Sequence, residues 1–147
     1  MNIAPKYLLL ADDDRDDCDL FTDALNELDE FITLKTVHDG EQLMHFLTNE
    51  TCELPDILFL DLNMPRKNGY ECLTEIKIND RLKNLPVIIF STSFNLETVQ
   101  ELYNNGALYY ISKPNEFTKL KKVIHNAISS VTSTLSKTSL ENFVIQP

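Results

Sequence analysis

Four short apolar runs punctuate the chain, and each ends on a charged or hydroxyl-bearing group. Tyr7-Leu8-Leu9-Leu10-Ala11 runs into Asp12-Asp13-Asp14, and Asp56-Ile57-Leu58-Phe59-Leu60 into Asp61. Val87-Ile88-Ile89-Phe90 ends on Ser91, and Tyr109-Tyr110-Ile111-Ser112 on Lys113-Pro114. A short run without polar alternation suits a strand buried on both faces, which is the position of a central strand in a parallel sheet. Parallel strands put all their carboxyl ends on one edge. If these runs pair in parallel, three acidic groups, a hydroxyl and an ammonium converge there.

The segments between the runs have helical spacing. Residues 15–29 place Leu20, Phe21, Ala24, Leu25 and Leu28 on one stripe. A short helix after Asp39-Gly40 carries Leu43, Phe46 and Leu47, and one over 69–79 carries Cys72, Leu73 and Ile76. A helix over 95–104 presents Leu96, Val99 and Leu102, with Gly106 in the left-handed position past its end. The last, over 116–131, offers Phe117, Leu120, Val123, Ile124, Ala127 and Val131. A fifth strand over 31–37 alternates Ile32, Leu34 and Thr36, as an edge strand does. Strand and helix therefore alternate through five units, which predicts an α/β fold: an open parallel sheet with helices on both faces. Ligands of such sheets sit beyond the carboxyl ends of the strands, where the strand order reverses.

Length and charge narrow the function. The 147 residues suit one domain, and 43% hydrophobic residues supply a core. The net charge of −10 excludes a nucleic-acid surface, which needs a basic patch, and suits a metal ion or a basic partner. Asp12, Asp13, Asp14, Asp16, Asp17 and Asp19 crowd into eight residues. Asp16 and Asp17 read as a solvated helix start, and Asp12 and Asp13, directly after a strand, as a pair that repels unless a cation lies between them. Cys18, Cys52 and Cys72 match no zinc spacing and read as reduced, mostly buried thiols of a cytoplasmic protein. No secretory leader pattern or membrane-spanning apolar run is visible.

The converging groups fit phosphoryl transfer to a carboxylate. Asp61 is the nucleophile that accepts the phosphoryl group. Asp12, Asp13 and Asp61, with the backbone carbonyl of Asn63, supply the oxygen donors that Mg²⁺ prefers. Lys113 offers a point charge and Ser91 a hydroxyl to the phosphoryl oxygens. Each residue has a plainer reading. A helix cap is the plainer reading of Asp61, but the run Asp61-Leu62-Asn63-Met64-Pro65 delays the next helix to near Asn68; Asp12 and Asp13 have the reading of a capping cluster, Ser91 of a strand-end hydroxyl and Lys113 of a loop lysine, and the weight lies in their order. His38, His45 and His125 lack metal spacing and are assigned to surface or packing roles.

These segments resemble a bacterial two-component response-regulator receiver domain. The resemblance is carried by Leu8-Leu9-Leu10-Ala11-Asp12-Asp13-Asp14, Ile57-Leu58-Phe59-Leu60-Asp61-Leu62-Asn63-Met64-Pro65, Asn68-Gly69-Tyr70-Glu71, Pro86-Val87-Ile88-Ile89-Phe90-Ser91-Thr92 and Tyr110-Ile111-Ser112-Lys113-Pro114. It implies a flavodoxin-like, doubly wound five-stranded sheet of order 2-1-3-4-5. It also implies phosphorylation by a sensor histidine kinase, with autodephosphorylation as the only intrinsic enzymatic act. Asp61 then matches the phosphoacceptor, Asp12 and Asp13 the metal-binding pair, and Asn63 the carbonyl ligand. Ser91, followed by Thr92, matches the switch hydroxyl, Lys113 the phosphate-contacting lysine and Tyr110 the aromatic switch residue. On phosphorylation Ser91 moves toward the phosphoryl group and Tyr110 fills the space behind it, biasing the surface of the fourth helix, fifth strand and fifth helix. Asn63 and Ser93 match positions that tune phosphoryl lifetime. Asp14, Arg15 and the loop Arg66-Lys67-Asn68 resemble stand-alone receivers paired with phytochrome-like kinases.

The receiver is expected over 1–131, with 132–147 as a tail too short for an output domain. Its polar start, with Thr132, Ser133, Thr134, Ser136, Thr138 and Ser139, is linker-like. Its apolar end, Leu140 and Phe143-Val144-Ile145, is either a frayed terminus or packs on this chain or on a second subunit. Two other classes compete. An Asp-nucleophile phosphohydrolase needs a second carboxyl two residues on, where Asn63 stands. A nucleotide- or flavin-binding domain needs a phosphate-cradling loop where this chain is acidic.

Overall fold

The computed structural model describes residues 5–29, 31–92, 94–133 and 139–147. Five strands, β1 (Tyr7–Ala11), β2 (Thr33–Val37), β3 (Ile57–Leu60), β4 (Val87–Ser91) and β5 (Tyr109–Ser112), form one parallel sheet in the order β2-β1-β3-β4-β5. Five helices alternate with them: α1 (Arg15–Leu28), α2 (Gly40–Thr48), α3 (Gly69–Ile78), α4 (Leu96–Asn104) and α5 (Phe117–Ser133). The strand order reverses between β1 and β3, so Asp12 and Asp61 leave the sheet side by side in opposite windings. Ala11 pairs with Leu60 in the register, and the Asp61 amide donates to the Ala11 carbonyl (2.9 Å).

Two apolar layers sandwich the sheet. Leu8, Leu10, Phe59, Phe90 and Ile111 face α1 and α5, and the Phe21 ring meets Phe59 and Phe90 edge-on at 5.0 and 5.5 Å. Leu9, Leu58, Leu60, Ile89 and Tyr110 face α2, α3 and α4. Tyr109 and Tyr110 thus point to opposite layers, as neighbours on a strand must.

Local chemistry sets the helix starts. Asp14, Asp39, Asn68 and Asn95 each accept backbone N–H groups of the turn they open, and these short polar side chains satisfy donors that have no partner inside the helix. Gly106 has φ +95, the left-handed conformation expected after α4.

Three helix positions differ from the sequence pattern. Leu20, Leu28 and Leu96 are exposed by 46%, 36% and 66%. The buried stripe of α1 runs through Cys18, Phe21, Ala24 and Leu25, which turns Leu20 toward solvent and leaves Leu28 on the rim. Leu96 is the first residue of α4, where its side chain leans beyond the helix end rather than onto the sheet. β2 also begins later than its apolar start suggests: Phe31 is 84% exposed and pairing starts at Thr33.

Residues 139–147 lie along the outer edge of β5. The Tyr110 amide donates to the Phe143 carbonyl (2.9 Å), and the Ile145 amide donates to the Tyr110 carbonyl (2.9 Å), a parallel bridge that satisfies both backbone groups of Tyr110. Phe143 is fully buried, with its ring edge-on to Tyr103 at 5.3 Å, and a phenyl ring removed from water in this way contributes about 1.5–3 kcal/mol. No described helix is long and apolar enough to cross a membrane.

Candidate functional site

The carboxyl ends of β1, β3 and β5 meet in an acidic pocket. Carboxylate oxygens of Asp12, Asp13 and Asp61 all lie within 4.8 Å of one another. Asp12 and Asp61 are buried and Asp13 is exposed. Lys113 reaches in from the end of β5: its Nζ donates to Asp12 Oδ2 at 2.6 Å and lies 3.9 Å from Asp61 Oδ2. Its ammonium also stands 5.3 Å from the centroid of the Phe90 ring, a cation–π contact that steadies the charge.

The loops that hold these groups are themselves held. The Asp14 amide donates to Asp12 Oδ1 (3.0 Å), fixing the carboxylate of Asp12 against the start of α1. After Asp61 the chain stays close: the Asn63 amide approaches Asp61 Oδ1 at 3.4 Å and the Gly69 amide donates to the Leu62 carbonyl at 2.9 Å. Gly69 is required at that turn, because a Cβ there would stand 2.3 Å from the Asp61 carbonyl oxygen. Gly40 has the same constraint from the other side, where a Cβ would meet the Lys67 carbonyl oxygen at 2.0 Å. Arg66, between them, adopts φ 68 and faces Asp39 at 3.7 Å.

Burial dominates the electrostatics. It pushes the Asp61 carboxyl up to about 7; Lys113 pulls the other way, and Asp12 and Asp13 push it further up. Burial likewise raises Asp12 against the opposing hydrogen bonds of Lys113 and the Asp14 amide. Lys113 is raised, its desolvation outweighed by its hydrogen bonds to Asp12 and Asp17. The pocket therefore holds more negative charge than its one lysine balances. Its donors are hard carboxylate oxygens, the chemistry that suits a divalent cation such as Mg²⁺ or Mn²⁺.

The structure brings Asp12, Asp13, Asp61 and Lys113 together. Ser91 is fully buried at the end of β4, and its side chain hydrogen-bonds Tyr110, itself fully buried. Thr92, next along, is exposed, as is Asn63. Ser93 lies outside the described residues. Asp61 is not a helix cap, since α3 starts at Gly69 under Asn68; the cap of α1 is Asp14, which accepts from the Asp16 and Asp17 amides at 3.0 and 3.1 Å.

Asp17 corrects the sequence reading. Instead of a solvated helix start, its Oδ2 accepts from Lys113 Nζ at 2.9 Å. Asp17 lies in the first turn of α1, past the cap Asp14, and its partner Lys113 is 96 residues away, so no local spacing signals the pair. His38 packs beneath the acidic loop with Nδ1 at 3.0 Å from the Asp12 carbonyl and Nε2 at 3.3 Å from Arg15 Nη1. Arginine only donates, so Nε2 accepts and Nδ1 carries the proton that goes to Asp12. Cys18 and Cys72 are buried free thiols whose burial pushes them up to about 12, so neither is a thiolate.

A doubly wound parallel sheet with an acidic cluster and one lysine at its switch point defines a class of α/β domain whose ligand site lies beyond the carboxyl ends of the strands. Residues 8–125 match the response regulator receiver domain, and the chain belongs to that family of signalling proteins. It is 34% identical over 124 residues to response regulator Rcp1 of Synechocystis sp., covering 82% of this chain and 84% of that one. A probable methanogenesis regulatory protein, FilR2 of Methanothrix harundinacea, is 28% identical over 123 residues, covering 82% and 79%. Among solved structures, the phosphorylated cyanobacterial phytochrome response regulator RcpA superposes with a TM-score of 0.81 at 31% identity, over 92% of this chain and 100% of that one. The Mn²⁺-bound form of Rcp1 does so at 0.79 and 32%, with the same coverage.

Proposed function

We propose that this chain is a phosphorylation-controlled response regulator in which Asp61 accepts a phosphoryl group from a sensor histidine kinase. The observation that carries the reading is the buried Asp61 carboxylate, held within 4.8 Å of Asp12 and Asp13 and 3.9 Å from the Lys113 ammonium. In the transfer, an Asp61 carboxylate oxygen forms its bond to phosphorus as the phosphorus–nitrogen bond of a phosphohistidine breaks, and the imidazole leaves with its electron pair. Asp12, Asp13 and Asp61, with the Asn63 carbonyl, would hold Mg²⁺, which when bound neutralises charge on the transferring oxygens.

The chain's own residues do the rest. Lys113 leaves its Asp12 and Asp17 partners in part to meet a phosphoryl oxygen, for which its 3.9 Å distance to Asp61 leaves it within reach. Ser91 donates to a second oxygen, with Thr92 bordering the same edge, and Tyr110 follows Ser91. The new phosphoryl group thereby biases the surface of α4, β5 and α5 that a downstream protein reads. The likeness to RcpA supports a phytochrome-like kinase as the phosphoryl donor.

Incubation with acetyl phosphate and Mg²⁺, read by intact mass, tests the reading. A single phosphoryl adduct forms on the wild type and is lost in Asp61→Asn or when the metal is chelated. Labelling that survives either change refutes the assignment. Steady turnover of small phosphate esters would instead favour a phosphohydrolase.

A further inference from the structure

Tyr110 is the meeting point of two systems. Its side chain hydrogen-bonds Ser91 at the pocket, and its backbone N–H and C=O are both taken by residues 143 and 145. The Phe94 ring closes over it edge-on at 5.9 Å. The C-terminal segment that pairs with it is anchored on three elements. Phe143 is buried in the layer beneath α4 beside Tyr103, Val144 bridges to β5, and the Gln146 carbonyl accepts from Asn126 Nδ2 of α5 at 2.9 Å. Ile145 packs into the layer on the α5 side. The segment therefore straddles the face that the proposed phosphorylation biases, and it fixes the one residue through which that bias passes.

We propose that residues 139–147 are a tethered ligand of the β5 edge, and that their docking favours the same buried placement of Tyr110 that phosphorylation of Asp61 requires. The groove between β5 and α4 reads an extended segment running parallel to β5, by main-chain pairing at Tyr110 and by an aromatic pocket for Phe143. Because linkage is reciprocal, the docked segment raises the affinity of Asp61 for a phosphoryl group, and a phosphoryl group raises the affinity of the groove for the segment. Undocking leaves Tyr110 without its backbone partners and opens a path for its side chain out of the core. A downstream protein that pairs with β5 has to compete with the segment.

This inference rests on Asp61 as phosphoacceptor, and the test separates the two. Beryllium fluoride with Mg²⁺ serves as the phosphoryl mimic, titrated by calorimetry into the full chain, a chain ending at residue 138, and Ile145→Pro. The proline removes the N–H that the Tyr110 carbonyl accepts and trims the half-buried Ile145 side chain, but it leaves Phe143, the fully buried anchor, in place. Both altered chains are expected to bind the mimic about fivefold or more weakly than the full chain. A synthetic peptide of residues 139–147, added at about millimolar concentration to replace the lost tether, restores the affinity of the shortened chain. In the full chain the mimic slows hydrogen exchange at the Ile145 amide. Equal affinities in all three chains, or tighter binding after truncation, overturn the coupling while leaving Asp61 as acceptor. No binding to the full chain overturns both. An affinity that depends on protein concentration assigns the docked segment to a second copy and overturns the intramolecular form.

Discussion

Leu60 and Asp61 are consecutive residues in two regions built to opposite rules. Leu60 belongs to β3, a central strand buried on both faces and paired with β1 and β4. Asp61 opens a pocket where burial, with two neighbouring acids adding to it, pushes a carboxyl up to about 7. The first region contributes stability; the second draws on it. That contrast explains how so much unbalanced charge persists: the apolar layers beneath fix the strand ends, and the strand ends fix the carboxylates regardless of their repulsion.

Substitutions on the two sides of this boundary should therefore separate. The largest effect belongs to the core: Phe59→Ala, which leaves a cavity beside Phe21, is expected to cost about 3–5 kcal/mol in denaturant unfolding with little change in slope. A much smaller loss would mean that the layers do not constrain the pocket as described.

Asp61→Asn should go the other way. A carboxyl raised in the folded state contributes stability that is present below its unfolded value of 3.8 and is lost as pH rises toward about 7. At pH 8 without metal, the ionised wild type is therefore the less stable form, and Asp61→Asn is expected to gain about 1–2 kcal/mol, discounted for solvent at the pocket mouth. Saturating Mg²⁺ should reverse the order, because the metal stabilises only the chain that binds it. If Asp61→Asn melts below the wild type in chelator at pH 8, the pocket is not strained.

Mg²⁺ affinity reads the same balance more finely. The cation must displace the Asp61 proton, so apparent affinity should fall about tenfold per pH unit below about 7 and level off above it. Affinity that is flat from pH 8 to 6 would place the titrating carboxyl elsewhere. The smallest change is expected on the open edge of the sheet. Lys35→Ala on β2, where the ammonium stands 5.1 Å from the Phe46 ring centroid, should shift stability by under about 1 kcal/mol and leave metal binding unaltered.

Much of this organisation is legible in the sequence for a physical reason. Strands buried on both faces have no polar alternation, so Leu8-Leu9-Leu10, Ile57-Leu58-Phe59 and Val87-Ile88-Ile89 declare themselves, and their ends name Asp12, Asp61 and Ser91. Asp39, Asn68 and Gly69 mark helix starts through short-range chemistry that needs no tertiary information. Groups whose partners lie far along the chain are harder to read. Asp17 looks like any acid in a first helical turn until Lys113 arrives from the end of β5. Leu20 and Leu28 fit a helical stripe, but only the docking of α5 decides which arc of α1 is covered. The apolar Phe143-Val144-Ile145 announces a need for burial without saying where, because the groove that receives it is made of α4, β5 and α5 together.

The two missing side chains at Gly40 and Gly69 have a mechanical consequence. With the Lys67 carbonyl seated where one methyl group would be and the Asp61 carbonyl where the other would be, the loop from Leu62 to Asn68 has no slack against α3, which it leads into, or against α2, on which it packs. Any displacement of that loop must carry the first turn of α2 along with it. Movement begun at the pocket would then travel to the far side of the molecule from β5 as the tilt of a whole helix, giving the domain a second lever at the opposite end of the sheet.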